Sequence, residues 1–216
     1  MGKRLISERM IQEWARHSTI MEVPPDAIIT DLARDKAKQL GVTFRILASS
    51  ELKPKDADRP KLKADAERKV AVGADHGGFP MKERIKALIE SLNFTVVDVG
   101  TNSTDAVDYP DYAHAVAKLV ADGNCKYGIM IDGAGIGSSM VANKVPGVRA
   151  ALCHDVTSAL NSREHNDANI LTLGARMIGD VLAEHIVKIW LLTDFSGGRH
   201  QARVDKILDV EKRYTK

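Results

Sequence analysis

Cysteine is almost absent from this chain, with only Cys125 and Cys153 among 216 residues. Two isolated thiols build no disulfide framework and offer no paired metal spacing, so the fold is expected to rest on its core, in a reducing compartment such as the cytoplasm. Net charge is equally scarce: 31 basic and 29 acidic residues leave a formal +2. That balance supplies no bulk field for holding nucleic acid or an anionic membrane, and the ligand is expected to be small. Long apolar runs are missing too. Nothing approaches the roughly 20 residues of a membrane span, and the first residues carry charges where a secretion signal has its hydrophobic stretch.

What is present divides near residue 69. From Glu51 to Lys69, charges of both signs crowd together with Pro54 and Pro60 and almost nothing to bury, the profile of a solvated linker over residues 51–68. Residues 1–50 read as a small α+β extension. Ser7, Ile11 and Trp14 suggest a short amphipathic helix, Pro24-Pro25 breaks the chain, Thr30 caps a helix reaching Leu40, Gly41 closes it, and Val42–Ile46 is a strand.

Residues 69–216 alternate short apolar runs with amphipathic stretches. The pattern predicts strands over Val70–Gly73, Thr95–Val99, Tyr127–Ile131, Val148–Leu152 and Asn169–Leu173. Helices are expected over Pro80–Leu92, Tyr112–Ala121, Ile136–Asn143, Val156–Arg163, Arg176–Leu192 and Arg203–Lys212. Such alternation predicts an α/β fold, a Rossmann-like doubly wound sheet of five parallel strands covered on both faces, with ligands at the carboxyl ends of the strands. Asp75 and His76 follow the first strand, Thr101–Asp108 the second, Asp132–Gly137 the third, His154 and Asp155 the fourth, and Gly174–Arg176 the fifth. One edge should therefore collect the chemistry.

The residue types there are chemically coherent. Ile129-Met-Ile-Asp-Gly-Ala-Gly-Ile-Gly137 is an apolar run ending in a glycine turn that enters a helix, and the N–H groups of Gly133 to Gly137 suit a phosphate or a developing oxyanion. An imidazole such as His165 passes protons near neutral pH, and Asn166 beside it can donate to a substrate oxygen. Arg199 and Arg203, four apart at a helix start, can place two guanidinium forks on one phosphate, with His76 as a third donor.

Six motifs in order, Gly73-Ala-Asp-His-Gly-Gly78, Val107-Asp-Tyr-Pro110, Asp132-Gly-Ala-Gly-Ile-Gly137, Asn143-Lys144, Ser162-Arg-Glu-His-Asn-Asp167 and Gly197-Gly-Arg-His-Gln-Ala-Arg203, resemble the type B ribose-5-phosphate isomerase and galactose-6-phosphate isomerase family. The resemblance spans residues 69–216. It implies an aldose–ketose isomerase of sugar phosphates working through a cis-enediolate, without metal or organic cofactor, as a homodimer or dimer of dimers with sites built across the subunit interface. Matched residue by residue, it makes Asp132 and His165 catalytic, the latter opening the sugar ring, with Gly133, Gly135 and Gly137 holding the enediolate. Substrate contacts fall to Asp75, His76, Tyr109, Ala134, Ile136, Ser138, Asn166, Arg176, Arg199 and Arg203.

One departure leaves two readings open. Family members with the best-known mechanism carry a cysteine where this chain has Asp132 and a threonine where it has Ala134; others place a carboxylate elsewhere in the loop. Either Asp132 is the base, its carboxylate reaching C2, or it marks a non-base position, as in a galactose-6-phosphate isomerase subunit with a similar loop that relies on a partner chain. The extension carries a separate resemblance. Lys3-Arg-Leu-Ile-Ser7, Ala27-Ile-Ile-Thr-Asp-Leu-Ala-Arg34 and Ala37-Lys-Gln-Leu-Gly-Val42 look like the leading segment of ethanolamine-utilisation proteins encoded with bacterial microcompartments. That implies recruitment to a shell or cargo partner; an oligomerisation or solvating role is the alternative.

Overall fold

The computed structural model describes residues 5–16, 18–23, 27–46 and 61–215, and the chain divides into two units, Met1–Asp56 and Ala57–Lys216. The first unit is a duplication. Strand β1 (Leu5–Ile6), helix α1 (Glu8–Trp14) and strand β2 (Ile20–Val23) are matched by β3 (Ile28–Ile29), α2 (Asp31–Gln39) and β4 (Thr43–Ile46). β1 pairs with β3 and β2 with β4, both parallel, and every pair in register, Leu5 with Ile28 through Val23 with Ile46, is separated by 23 positions. Ser7 and Thr30 stand at the two helix starts, and Thr30 accepts the Ala33 N–H at 3.2 Å. Ile6, Ile11, Met21, Val23, Ala33, Ala37 and Val42 form its own small core. The expected helices and the last strand are present; β1, β2 and β3 were not foreseen.

Most of the expected linker, Glu51–Pro60, lies outside the described residues. Its end is not a solvated tether. Ala66 is fully buried and Lys63 donates its N–H to the Gly123 carbonyl at 3.0 Å, so residues 61–68 are packed as part of the second unit.

The second unit runs β5 (Lys69–Ala74), α3 (Phe79–Ser91), β6 (Thr95–Asp98), α4 (Tyr109–Ala121), β7 (Tyr127–Asp132), α5 (Ile136–Ala142), β8 (Ala150–Leu152), α6 (Val156–Asn166), β9 (Ile170–Gly174), α7 (Asp180–Leu192) and α8 (Gln201–Tyr214). The five strands form one parallel sheet in the order β6-β5-β7-β9-β8. Helices α3, α6 and α7 pack on one face through Ile85, Ala159 and Trp190, while α4 and α5 cover the other through Val116 and Ala142. β7 is buried along its whole length because both of its faces are covered, which is why its sequence is a continuous apolar run. Truncating one of its core side chains, as in Ile131→Ala, removes contacts costing about 2–5 kcal/mol.

Four helix starts differ from expectation, α3 by one residue and α8 by two, α4 and α7 by more. α4 begins at Tyr109, three residues early, because Pro110 fits the first helical turn, where its missing N–H has no partner to lose. α7 begins at Asp180, since Arg176 and Met177 are held in the turn after β9 by N–H bonds to Gly133 and Gly174 carbonyls. This turn places Arg176 against the glycine loop.

Strands β5 and β7 are neighbours whose following connections leave toward opposite edges of the sheet. A crevice opens at such a switch point, beyond the strands' carboxyl ends. Asp75 and Asp132 close those two strands.

Candidate active site

Asp75, buried, follows β5 directly. Its N–H donates to the Ile131 carbonyl at 3.3 Å and its Oδ1 accepts the Gly78 N–H at 3.0 Å, so the turn after β5 is tied to β7. His76, half-buried, has Nδ1 3.2 Å from the N–H of Val107. The Val107 carbonyl oxygen is also 3.2 Å from that nitrogen, so Val107 fixes the ring through Nδ1 in either tautomer. Tyr109 begins α4 with its ring against Gly137.

The loop after β7 is organised by its own acid. Asp132 Oδ1 accepts the N–H groups of Ala134, at 2.8 Å, and Gly135. Its Oδ2 accepts the Ser138 N–H at 3.2 Å and the Ser138 hydroxyl. Gly135 has φ 76°, the left-handed conformation that favours glycine, and a Cβ there would stand 2.4 Å from Leu152 Cδ1. The bend lets α5 start with its N–H groups gathered at the loop. Ala134, Gly135 and Ser138 give theirs to Asp132, whereas those of Gly133, Ile136 and Gly137 take no acceptor among the described residues. Ile136 is exposed and Ser138 fully buried. His154, which was not among the expected contact residues, places Nε2 3.2 Å from the Ala134 carbonyl.

His165, Asn166, Arg199 and Arg203 stand elsewhere in the chain. α6 starts at the carboxyl edge, where Asp155 caps it by accepting the Ser158 N–H at 2.8 Å; that bond holds the Asp155 carboxyl below the usual carboxylate range. The helix then runs back toward the amino ends of the strands, because β9 is parallel to β8. Eleven residues at 1.5 Å each carry its last turn ~16 Å away. There His165 Nδ1 is 2.7 Å from Asn161 Nδ2, and its ring stacks on His200 with centroids 4.0 Å apart and planes 6° from parallel. Arg199 Nε donates to His200 Nε2 at 3.3 Å; Arg199, in the 3-10 turn just before α8, and Arg203, in its first turn, are both exposed. Asn161 and His200 were missed by sequence reasoning. Asn161 lies one helical turn before His165, and His200 lies inside a quoted motif, so both signals were available.

A groove of about 670 Å³ adjoins this far end, with Asn143, Val148, Asn166, Ile207, Val210 and Tyr214 in its walls. Ile207, Val210 and Tyr214 are exposed on one stripe of α8, and Ile136 and Met140 on one stripe of α5. Among the described residues no group of three or more His, Cys, Asp or Glu side chains is arranged to hold a metal ion.

An open parallel sheet with an amide-rich loop at its switch point, and basic residues for an anion, define an α/β enzyme acting on a small phosphorylated substrate. The chain belongs to the ribose/galactose isomerase family, whose sequence profile, described as Ribose/Galactose Isomerase, matches residues 70–207. It is thereby an aldose–ketose isomerase. Ribose-5-phosphate isomerase B of Escherichia coli (strain K12) is 46% identical over 146 residues, covering 68% of this chain and 98% of the relative. Among solved structures, ribose-5-phosphate isomerase B of Clostridium thermocellum superposes with a TM-score of 0.67 at 49% identity, covering 68% of this chain and 99% of that one. The type B enzyme of Trypanosoma brucei gives 0.65 at 47% identity, covering 67% and 99%.

Proposed function

We propose that the chain interconverts ribose 5-phosphate and ribulose 5-phosphate through a cis-enediolate, in sites shared between two protomers. The observation that carries this reading is the separation along α6. Amides and an acid sit at one end, an imidazole and guanidiniums ~16 Å away at the other, and one sugar phosphate needs all of them. A second copy brings the far end of its α6 and α8 to the first copy's glycine loop. The exposed apolar stripes of α5 and α8 support such an assembly as a homodimer or dimer of dimers.

In the proposed site, Arg199 and Arg203 of one protomer and His76 and Arg176 of the other hold the phosphate. His165 moves a proton between the ring oxygen and the C1 hydroxyl, giving the open-chain aldehyde. Asp132 then takes the proton from C2; the C–H electron pair becomes the C1–C2 double bond and the carbonyl oxygen becomes the oxyanion. Returning that proton to C1, while the O2 proton passes to the O1 oxyanion and C2–O becomes the carbonyl, yields the ketose. The negative charge leaves Asp132 as it arrives on the substrate, so the loop holds one charge throughout. Gly133, Ile136 and Gly137 N–H groups, not engaged by Asp132, are left to favour the enediolate; donors already given to the carboxylate stabilise the ground state as well and lower the barrier less. Asp75, Tyr109, Ala134, Ser138 and Asn166 shape the sugar's place.

A second reading has its own observation. A carboxylate accepts about four hydrogen bonds, and Asp132 accepts four from its own loop. On this reading it only builds the loop, and turnover needs a cysteine-bearing partner chain. An isomerisation assay on five- and six-carbon phosphates with wild type and Asp132→Asn separates them: a hundredfold fall in kcat supports the base, on the order expected for a lost proton acceptor. Unchanged turnover in the Asn variant excludes it, and activity that arises only on mixing with a cysteine-bearing relative supports the second.

For residues 1–50 we propose recruitment to a microcompartment shell or cargo partner. Deleting them should leave turnover intact and abolish co-assembly with shell proteins; intact co-assembly argues for a solvating extension.

A further inference from the structure

We propose that Asp167 is a positioning residue for the proton-transfer half of the site: a left-handed stop, pinned by Arg149 and Arg163, that fixes where α6 ends and so where His165 and Asn166 stand. This rests on the ring-opening role proposed for His165 and goes beyond it. Asp167 has φ 49° and ψ 43°, a conformation that helix ends usually give to glycine. Its N–H reaches back to the Arg163 carbonyl at 3.2 Å, and the Ala168 N–H to that of Ser162 at 2.9 Å, so the chain reverses within one residue of Asn166.

An aspartate keeps that shape because two buried cations hold it. Arg163 Nη1 is 3.1 Å from Oδ1, and Arg149 Nη2 is 3.3 Å from Oδ2, with side chains only 4% and 9% exposed. Arg149 Nε also donates to the Asp167 carbonyl at 2.9 Å, gripping main chain and side chain together. Neither guanidinium is free to follow a moving turn. Arg163 lies over the Tyr127 and Trp190 rings, 4.9 and 5.4 Å from their centroids, and donates to the Ala168 carbonyl at 2.6 Å and to Tyr127 Oη at 3.1 Å. Arg149 gives its N–H to Asn169 Oδ1 at 2.7 Å, beside the start of β9. The Asp167 carboxylate is thus the joint between the end of α6 and the sheet. Without it two buried cations lose their shared counter-ion and the turn keeps only the main-chain bonds to the Asp167 and Ala168 carbonyls, while Arg199, Arg203, His76 and Arg176 keep their places.

Asp167→Gly and Asp167→Asn in the full chain test this. Glycine suits the left-handed backbone better than aspartate, and asparagine tolerates it, so both variants keep a foldable turn and lose the charged joint. Two reactions are compared. Isomerisation of ribose 5-phosphate, a closed furanose, needs His165; exchange of solvent deuterium into C1 of ribulose 5-phosphate does not, because that ketose has no free C5 hydroxyl to close a ring. Asn166 serves both, so the ratio isolates His165. Isomerisation should fall about 10²-fold further in kcat than the exchange rate does, whatever loss the two reactions share through Asn166. Equal losses in both reactions, or no loss in folded variants, overturn the proposal. His165→Asn is the control: if it fails to show the selective loss, the ring-opening assignment falls; if it shows the loss and the Asp167 variants do not, the positioning role alone falls.

Discussion

Tyr109 lies so close over Gly137 that a methyl group on that glycine would sit 2.4 Å from Tyr109 Cζ. The contact joins the start of α4 to the start of α5 at the mouth of the loop. In Gly137→Ala the ring has to move, and since Tyr109 is 37% exposed it can swing outward. Alanine within a helix also recovers up to about 1 kcal/mol of propensity. Stability should therefore hold within a few degrees of Tm while kcat/KM drops about tenfold or more through lost positioning. Calorimetry and steady-state kinetics on one preparation read both; a parallel fall in Tm and activity would make the contact merely structural.

A second prediction concerns the buried lysine beneath the loop after β6. Lys82 Nζ lies 2.7 Å from Asp98 Oδ2 and donates to the Thr101 carbonyl at 2.8 Å, with its side chain 2% exposed. Burial pushes the Asp98 carboxyl up, but hydrogen bonds from Lys82 and Lys86 outweigh it and hold it below the usual range. A carboxylate with a depressed folded value contributes stability that is present above its unfolded pKa of about 3.9 and is lost as pH falls through the folded value. Asp98→Asn should cost about 3 kcal/mol at pH 7, because Lys82 keeps a buried, weakly paired charge. Urea titrations should show that difference shrinking as pH falls from the unfolded value through the depressed folded value of Asp98, below which the wild-type carboxyl is protonated too. A difference that persists undiminished at lower pH would point to packing instead.

Much of this architecture was written plainly in the chain, and the exceptions have identifiable causes. β7 announces itself because a strand covered on both faces is apolar throughout, and the glycines after it because a left-handed bend and a ring contact each exclude a side chain. The two-residue strands β1 and β3 are too short for any alternation to register, although Leu-Ile-Ser-Glu and Ile-Ile-Thr-Asp do repeat at 23 positions. Lys61–Arg68 reads as solvated from its charges, yet one alanine, Ala66, docks it. The division of the site is the instructive case. The carboxyl-edge residues read from the sequence did not include His165, and the family resemblance implied sites built across the subunit interface; a helix between two parallel strands has to return to the amino side, so His165 at its far end does not share an edge with Asp132 within one chain.

The cysteines give a third prediction. Burial pushes the Cys125 thiol up to about 11 and raises that of Cys153, and neither side chain is exposed. Both should remain neutral and unreactive in the folded protein at neutral pH. Iodoacetamide should leave activity intact, with labelling that follows the unfolding rate. Rapid inactivation by a single alkylated thiol would show that one of them takes part in the chemistry after all.

The shared site makes the most stringent prediction. Asp132→Ala and His165→Ala each disable a different half, so either homodimer should be inactive. In a mixed dimer, one site receives both lesions, while the other combines the intact Asp132 loop of one protomer with the intact His165 of its partner. Random reassociation of equal amounts places half the protomers in such pairs, and one of their two sites works, so about a quarter of wild-type activity should return. Activity that stays at the level of the separate variants, with subunit exchange verified by mass spectrometry, would place both residues in the same chain's site and undo the ~16 Å separation along α6 as its organising feature.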